Sequence, residues 1–227
     1  MNKAITDGIL FTPSSFSAGL SQWSSGDGVP GSDSYQNAAN AAFVPADQDF
    51  SGCLELQKTQ SLQKLRFKGQ TPILPGCYLR VTARIKAISG ALPSVRIAGF
   101  AAGPGGAALP GVLTTGASVA LTSYGQVVEV SAIVGTGARA GVTMAWGLDA
   151  IYGHFGLDLT GPNGGTVRID DIEIEDITGV FLRDMLGTVD VRDFGAKGDG
   201  VANDAAAFLA ADAAANGRLV VVPEGTY

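Results

Sequence analysis

Positive charge is scarce in this sequence. Lys and Arg number 15 against 21 Asp and Glu, so the formal net charge is -6, and charged residues of both signs make up only 16% of the chain. A protein that neutralises a nucleic-acid backbone needs a surface rich in Lys and Arg. We therefore predict that nucleic acid is not a partner.

Long apolar runs are also missing. No stretch approaches the roughly 18 uninterrupted apolar residues that a membrane-spanning helix needs. The opening M-N-K-A-I-T-D-G-I-L-F-T-P-S-S-F has no apolar segment of the length found in a secretory signal peptide. We expect neither membrane insertion nor Sec-type export.

Cysteine is rare as well, with two residues in the chain. In S-G-C-L-E-L-Q the alternation of a strand turns Leu54 inward and Cys53 outward, whereas Cys77 shares the inward parity of Leu79. Side chains on opposite faces are poorly placed for a disulfide. We predict two free thiols, which fits a protein made in a reducing cytosol.

Glycine and proline, in contrast, are frequent, with 32 and 10 residues, and 46% of the chain is hydrophobic. Turn residues at short intervals favour many short strands, so we predict a mainly β fold with two sheets packed face to face. The clearest strand is Tyr78 to Ile88, whose outward side chains include Arg80, Arg84 and Lys86, a face that we expect to be solvated. Further strands are predicted at Ser94 to Ala101, Gln126 to Val134, Gly141 to Leu148, Phe155 to Leu159 and Thr166 to Ile177.

Periodicity and turn signals divide the chain into four parts. Residues 1–20 show no sustained period and are predicted to form an arm, and residues 21–178 form the β-sandwich. Residues 179–188 are a connector, and residues 189–227 begin a separate unit.

The last predicted strand of the sandwich contains an irregularity. In T-V-R-I-D-D-I-E-I-E-D-I the inward parity runs through Val167 and Ile169 and restarts at Ile172, so the pattern slips by one residue at Asp170 and Asp171. An extra residue in one strand of a pair has this effect, which predicts a β-bulge.

Two segments carry a resemblance to a known family. L-R-F-K-G-Q-T-P-I-L-P-G-C-Y-L-R-V-T-A-R-I-K, with the closing strand I-D-D-I-E-I-E-D, resembles the jelly-roll sandwiches of carbohydrate-binding modules over about Trp23 to Thr178. In those modules an acidic residue of the closing strand often serves a structural calcium ion, which the resemblance maps to Asp170 or Asp171. The alternative is that both carboxylates only occupy the bulge and its exposed side. No other cofactor is expected.

Exposed aromatic residues are the candidates for sugar contact, because their ring faces stack on the apolar faces of pyranoses. Trp23, Tyr124, Trp146 and Tyr152 qualify by residue type. The alternative for each is a structural role, since Trp146 lies in the predicted core strand V-T-M-A-W-G-L and Trp23 lies where it would seal the sandwich. His154 is the single histidine and is expected at the surface or in a turn.

Near the end of the chain, D-F-G-A-K-G-D-G-V-A-N-D-A-A-A-F raises the question of a phosphate or metal loop. A P-loop needs Ser or Thr directly after its lysine, but Gly198 follows Lys197, and Asn203 breaks the spacing of a dinucleotide loop. Val201 stands where an EF-hand calcium loop needs a ligand, and glycine-aspartate calcium repeats require tandem copies. We therefore predict neither kind of site.

An architectural role explains more of this segment. Val189 to Val191 is predicted as a short strand, and the glycines permit positive φ angles in a tight double turn. Asn203 or Asp204 is expected to cap a helix over Ala205 to Ala215, which ends at Asn216 and Gly217 and is followed by the strand R-L-V-V-V. The turn and cap residues are Gly195, Gly198, Asp199, Gly200, Asn203 and Asp204.

This series, with V-R-D-F-G-A-K-G-D-G, N-D before the helix and V-V-V-P-E-G-T-Y after it, resembles the entry of the pectate-lyase-like right-handed parallel β-helix over Val189 to Tyr227. This sequence departs from the family's pattern at Ala205, where the family usually has a threonine. In that family the segment caps the open end of the β-helix and protects strand edges, while catalytic residues lie on later coils. The resemblance thus implies a protein that continues beyond Tyr227, and no catalytic residue is assigned within residues 1–227.

The superfamily includes bacteriophage tailspikes and tail fibres, and the chain also resembles head-spike fibres of alphaproteobacterial gene transfer agents. The resemblance implies a virion or phage-like particle protein, usually a homotrimer, that attaches through residues 1–20 and meets host surface polysaccharide. The alternative is a secreted, extracellular polysaccharide lyase or glycoside hydrolase with an N-terminal sugar-binding module.

Overall fold

The computed structural model of the chain describes residues 15–137, 141–179 and 187–227. The predicted mainly β fold is confirmed. The chain divides into two units, Met1–Asp176 and Ile177–Tyr227. No helix among the described residues is long and apolar enough to span a bilayer.

The first unit is a sandwich of two sheets. Sheet I has the order β1-β4-β11-β7-β8, with β5 also paired to β11, and its pairs are antiparallel. Its strands are β1 (Trp23–Ser24), β4 (Gln63–Phe67), β5 (Thr71–Pro72), β7 (Ser94–Ala102), β8 (Val119–Ala120) and β11 (Tyr152–Thr160). Sheet II has the order β10-β9-β6-β12-β3-β2, with β13 also paired to β6. Its strands are β2 (Ala41–Val44), β3 (Cys53–Gln57), β6 (Tyr78–Ser89), β9 (Val128–Gly135), β10 (Met144–Ala145), β12 (Thr166–Ile169) and β13 (Glu173–Asp176).

Alternation along the strands fills the space between the sheets. In β6 every second residue, from Leu79 to Ala87, is buried in one apolar cluster, as the sequence predicts. Sheet I contributes the odd-numbered Phe155, Leu157 and Leu159 of β11 to the same cluster. The even-numbered residues of β11 therefore lie on the outer face of sheet I.

The predicted bulge is confirmed. Ile169 of β12 pairs with Ile85, and Glu173 of β13 pairs with Thr82, so three residues stand opposite two. Because of this extra residue, Ile172 is buried like Ile169. The bulge keeps one apolar face on a strand whose sequence changes parity.

The sandwich begins earlier than predicted. Phe16 and Leu20 fall in the range assigned to the arm, yet both are buried in the core. The Phe16 ring lies 4.5 Å from that of Trp23, and its N–H donates to Asp171 Oδ1 at 2.9 Å. The boundary thus lies at or before Phe16, because this ring closes the end of the core. The rest of the predicted arm, residues 1–14, lies outside the described residues, as do residues 180–186 of the predicted connector.

Both cysteines are free thiols, as predicted. Cys53 was placed on the outward face of its strand, and it is fully buried there. Burial raises the pKa of its thiol, so Cys53 is a poor nucleophile at neutral pH.

The second unit contains one parallel strand pair joined by a helix. Its elements are β14 (Thr188–Asp190), a 3-10 turn (Val191–Phe194), α1 (Ala205–Ala215) and β15 (Leu219–Val221). The predicted helix has the observed bounds, and the strand predicted at Val189 to Val191 lies one residue earlier. This is the single strand pair among the described residues of the second unit, so stacked coils of a β-helix are not formed within them.

The turn and helix cap differ from prediction in one respect. Gly195, Gly198 and Gly200 have positive φ as predicted. Asp204 occupies the cap position, but its carboxylate accepts from the N–H groups of Lys197 and Gly198 at 2.9 and 3.0 Å instead of from the helix. Asn203 Oδ1 accepts from the N–H of Ala205, the first helical residue.

The remaining acidic turn residue organises its own loop. Asp199 Oδ1 accepts from the N–H groups of Val201 and Ala202 at 3.0 and 2.8 Å. These hydrogen bonds lower the pKa of Asp199. Together, Asn203, Asp204 and Asp199 bind backbone donors of the protein, which supports the architectural interpretation of the glycine segment.

Candidate functional site

The outer face of sheet I carries a row of rings. Tyr152 and His154 are even-numbered residues of β11, and Phe100 of β7 is the cross-strand partner of His154. The ring of His154 lies 5.5 Å from that of Tyr152 and 6.0 Å from that of Phe100. Tyr152 and Phe100 are half-buried, whereas His154 is buried. We call these three residues the aromatic row.

His154 is the centre of the aromatic row and is buried, which contradicts the predicted surface position. The cause lies far away in sequence: Gly28, with φ of +84°, packs so closely that a Cβ there would lie 2.9 Å from His154 Cβ. Burial lowers the pKa of His154, and nearby backbone groups of residues 67–69 oppose this only in part. The imidazole is therefore neutral at neutral pH.

A network of charges continues the same face along β11. Asp158 Oδ1 accepts from Arg66 Nη2 at 2.6 Å, and Asp158 Oδ2 accepts from Arg96 Nε and Nη2 at 3.2 and 3.1 Å. The side chains of Arg66 and Asp158 are each 3% exposed, whereas that of Arg96 is 30% exposed. Within the described residues, Arg66 Nε has no hydrogen-bond acceptor.

Lys64 completes this charged group at the edge of the face. Its ammonium donates to Asp27 Oδ1 at 2.6 Å, and its side chain is 28% exposed. Because Asp158 of β11 pairs with Lys64 of β4 and with Arg96 of β7, the two cations flank β11 at one level of the sheet. The same face thus carries half-buried aromatic residues and cations that are about one-third exposed.

The outer face of sheet II has a different chemistry. Arg80 pairs with Glu175 and Arg84 with Asp170, both at the surface as expected. Lys86 was expected to be solvated with them, but it is buried. The 45–50 loop covers it, so that its ammonium binds the carboxylates of Asp47 and Asp49.

A groove of about 440 Å³ crosses this second face. Its lining includes Asp170 and Asp171, the residues to which the family resemblance assigns a calcium ion. Asp170 accepts from Arg84 and from the N–H of Asp171, and Asp171 accepts from the N–H of Phe16. Since donors of the protein occupy these carboxylates, the geometry favours the bulge interpretation over calcium. In the parts of the chain that the structure describes, no group of three or more His, Cys, Asp or Glu residues is arranged to hold a metal ion.

The four aromatic candidates lie in different environments. Trp23 and Trp146 are each 1% exposed, so their ring faces are not available to a sugar and both are core residues. Trp146 stacks on Phe155 at 5.2 Å and donates its Nε1 hydrogen to Leu113 O. Tyr124 is 57% exposed, but it lies beside Ala87 of sheet II with its hydroxyl donating to Gly90 O. Of the two candidates that are not buried, Tyr152 is thus the one that lies beside another ring, that of His154.

Sequence reasoning did not identify Phe100, Arg96 or Asp158 as members of the site. The shared parity of Arg96 and Phe100 was available from the predicted strand Ser94 to Ala101, but the predicted strand Phe155 to Leu159 contains Asp158 without Tyr152 or His154. The pairing of β7 with β11 was not available, because these strands are about fifty residues apart and their register is set by the folded sheet.

Several solved structures are similar to the sandwich. The CBM22-1 xylan-binding domain from Paenibacillus barcinonensis is 10% identical, with a TM-score of 0.48, and the match covers 72% of this chain and 91% of that domain. TmCBM61, solved with β-1,4-galactotriose, is 12% identical, with a TM-score of 0.43 over 73% of this chain and 97% of that one. The enzymatically active domain of bacteriophage CBA120 tailspike protein 4 is 12% identical, with a TM-score of 0.44 over 74% of this chain and 21% of that one.

These similarities are in the fold of the backbone, and they identify no ligand for this chain. No protein-family model and no curated protein sequence matches the chain.

Proposed function

We propose that the sandwich binds polysaccharide on the outer face of sheet I. The observation that carries the proposal is the aromatic row, in which Tyr152 and Phe100 are half-buried residues on the outer face of the sheet. Ring faces of this kind stack on the apolar faces of pyranoses, and neighbouring polar groups bind sugar hydroxyls.

The polar groups are present at the required place. Asp158 and Arg96 lie on the same two strands as the aromatic row, with Asp158 paired to Arg96 as His154 is paired to Phe100. Asp158 is held by Arg66 and in turn holds Arg96. The Arg96 side chain is therefore already ordered when a sugar hydroxyl binds it. Such ordering reduces the entropy that binding costs.

The test measures the affinity of the purified protein for a panel of polysaccharides and compares it with the affinities of three variants, Tyr152→Ala, Phe100→Ala and Tyr124→Ala. We expect Tyr152→Ala and Phe100→Ala each to weaken binding about tenfold, in line with the roughly 1 kcal/mol typical of such ring contacts. Tyr124→Ala is the matched control, because this exposed ring lies apart from the aromatic row. Loss of binding in the control with retention in the other two would refute this location.

We further propose that this binding domain belongs to a spike or fibre of a virion or phage-like particle. In this proposal the segment before Phe16 attaches to other virion proteins, and residues 189–227 begin a β-helix that assembles as a trimer. The parallel strand, helix and strand of the second unit support it, as does β15, whose Leu219 is 66% exposed as if another strand were to cover it. The alternative is a secreted lyase or hydrolase that carries the sandwich as a sugar-binding module.

Assembly distinguishes these two contexts. The full natural protein should be a trimer in light scattering and should copurify with particles. A monomer that is released from cells and cleaves pectin or alginate would contradict the spike proposal while leaving sugar binding by the sandwich intact.

A further inference from the structure

The two outer faces of the sandwich carry opposite charge. Ion-paired and strand residues of the sheet II face comprise four cations against seven carboxylates, namely Arg80, Arg84, Lys86 and Arg168 against Asp47, Asp49, Glu55, Glu129, Asp170, Glu173 and Glu175. The sheet I face has three cations, Lys64, Arg66 and Arg96, against two carboxylates, Asp27 and Asp158. In a chain of net charge -6, the face with the aromatic row is therefore the one with an excess of positive charge.

Two of these cations retain unused donors. Arg96 binds Asp158 through Nε and Nη2, which leaves its Nη1 group for another acceptor. Lys64 donates one hydrogen to Asp27, and an ammonium has three. Both side chains are about one-third exposed, so an anion in solution can reach them.

The spacing of these donors suits an extended ligand. Arg96 and Lys64 lie on strands that flank β11, which puts their Cα atoms roughly 10 Å apart, or two strand spacings. Phe100 lies four residues after Arg96 on β7, and its partner His154 lies four residues before Asp158 on β11, so the rings lie roughly 13 Å along the strands from the charged group. A chain of sugars that stacks on the rings would pass over the cations.

From this arrangement we infer that the ligand is an acidic polysaccharide, whose carboxylates bind Arg96 and Lys64 while its rings stack on Tyr152 and Phe100. This inference rests on the proposed sugar-binding function and specifies its substrate class. Guanidinium groups bind carboxylates through paired hydrogen bonds that are stronger than those to neutral hydroxyls. The surplus positive charge also raises the local concentration of a polyanion.

The experiment compares polygalacturonate with its methyl ester, which has the same sugar backbone without the charge. Titration calorimetry with the protein is expected to show at least tenfold tighter binding of polygalacturonate. We expect Arg96→Gln to remove most of that difference, because it should weaken binding of polygalacturonate much more than binding of the ester. Arg80→Gln is the matched control, because it removes the same charge from the opposite face, and it should leave both affinities unchanged.

Lys64→Gln guards against a folding defect at the Arg96 network, since among the described residues the Lys64 ammonium bonds to Asp27 and not to that network. It should weaken polygalacturonate binding about threefold, and raising salt from 0.05 to 0.5 M should weaken binding in the wild type more than in either variant. Equal binding of the acid and the ester would overturn the inference and leave the proposed function standing. Binding of neither would count against both, and an equal effect of Arg80→Gln would move the charge recognition to sheet II.

Discussion

At the scale of single residues, the sandwich holds charges where water has little access. Asp47 accepts from Lys86 and, at 2.6 Å, from Arg168, and its side chain is 2% exposed. The hydrogen bond from Lys86 is the largest of the effects that hold the pKa of Asp47 far below its usual range. A carboxylate with a depressed folded-state pKa stabilises the protein above its unfolded pKa, about 4, and this stabilisation is lost as pH falls toward the folded pKa.

We therefore expect Asp47→Asn to lower the free energy of unfolding at pH 7 by roughly 3 kcal/mol, because two cations lose the buried carboxylate that they share and keep only Asp49 and Glu55. Urea unfolding measures this, and the difference from wild type should shrink progressively below about pH 4. Glu175→Gln is the control, since its exposed pair with Arg80 should contribute under 1 kcal/mol. A pH-independent loss, or one equal to the control, would contradict the assignment.

Trp146 provides a second prediction at this scale. Its buried indole stacks on Phe155, so Trp146→Ala should cost about 4 kcal/mol of stability. Tyr124→Ala removes an exposed ring and should cost under 1 kcal/mol. Unchanged melting of Trp146→Ala, together with loss of sugar binding, would show that this tryptophan is a ligand contact instead.

Strand parity was a good guide to single residues except where loops intervened. It predicted the buried row of β6 and identified Trp146 as a core residue. It could not predict that Lys86 or His154 is buried, because distant loops, those of Asp47 and Gly28, cover them. The sites of these loops depend on long-range folding rather than on local alternation.

At the scale of elements, local signals sufficed where they were complete. The parity slip in β12 and β13 predicted the bulge, and the alanine run bounded by Asn203 and Gly217 predicted α1. By contrast, β1, β5, β8 and β10 have two residues each, too few for a periodic signal. The strand expected over Gly141 to Leu148 is thus reduced to Met144–Ala145, since Gly141 and Gly147 adopt positive φ.

Asp204 gives a prediction for the second unit. Its carboxylate holds the N–H groups of Lys197 and Gly198, so Asp204→Ala should destabilise this unit by about 1 to 2 kcal/mol. Hydrogen exchange should accelerate at those two amides before it does at the helix amide of Phe208. Faster exchange that starts in α1 would instead mean that Asp204 acts as a conventional helix cap.

At the scale of the whole molecule, composition predicted the fold class but not the position of the candidate site. Frequent glycine and scarce charge indicated a β-sandwich, and the glycine segment indicated a second, smaller unit that starts at residue 189; the chain divides into two units after Asp176. The candidate site was only partly accessible to sequence reasoning, because it combines β7, β11 and β4, whose order in the sheet is not their order in the chain. Tyr152 could be identified from its residue type, whereas its neighbours in the aromatic row, His154 and Phe100, follow from the register of β7 and β11.

The position of the ligand on the sandwich tests this account most directly. Backbone amide NMR shifts of the protein would be followed during titration with an oligogalacturonide. We predict that the perturbed amides cluster at residues 96–100 and 152–158, beside the aromatic row and the Arg96 network. Perturbations centred on Thr82, Arg84 and Glu173 in the groove of sheet II, or on Tyr124, would contradict it.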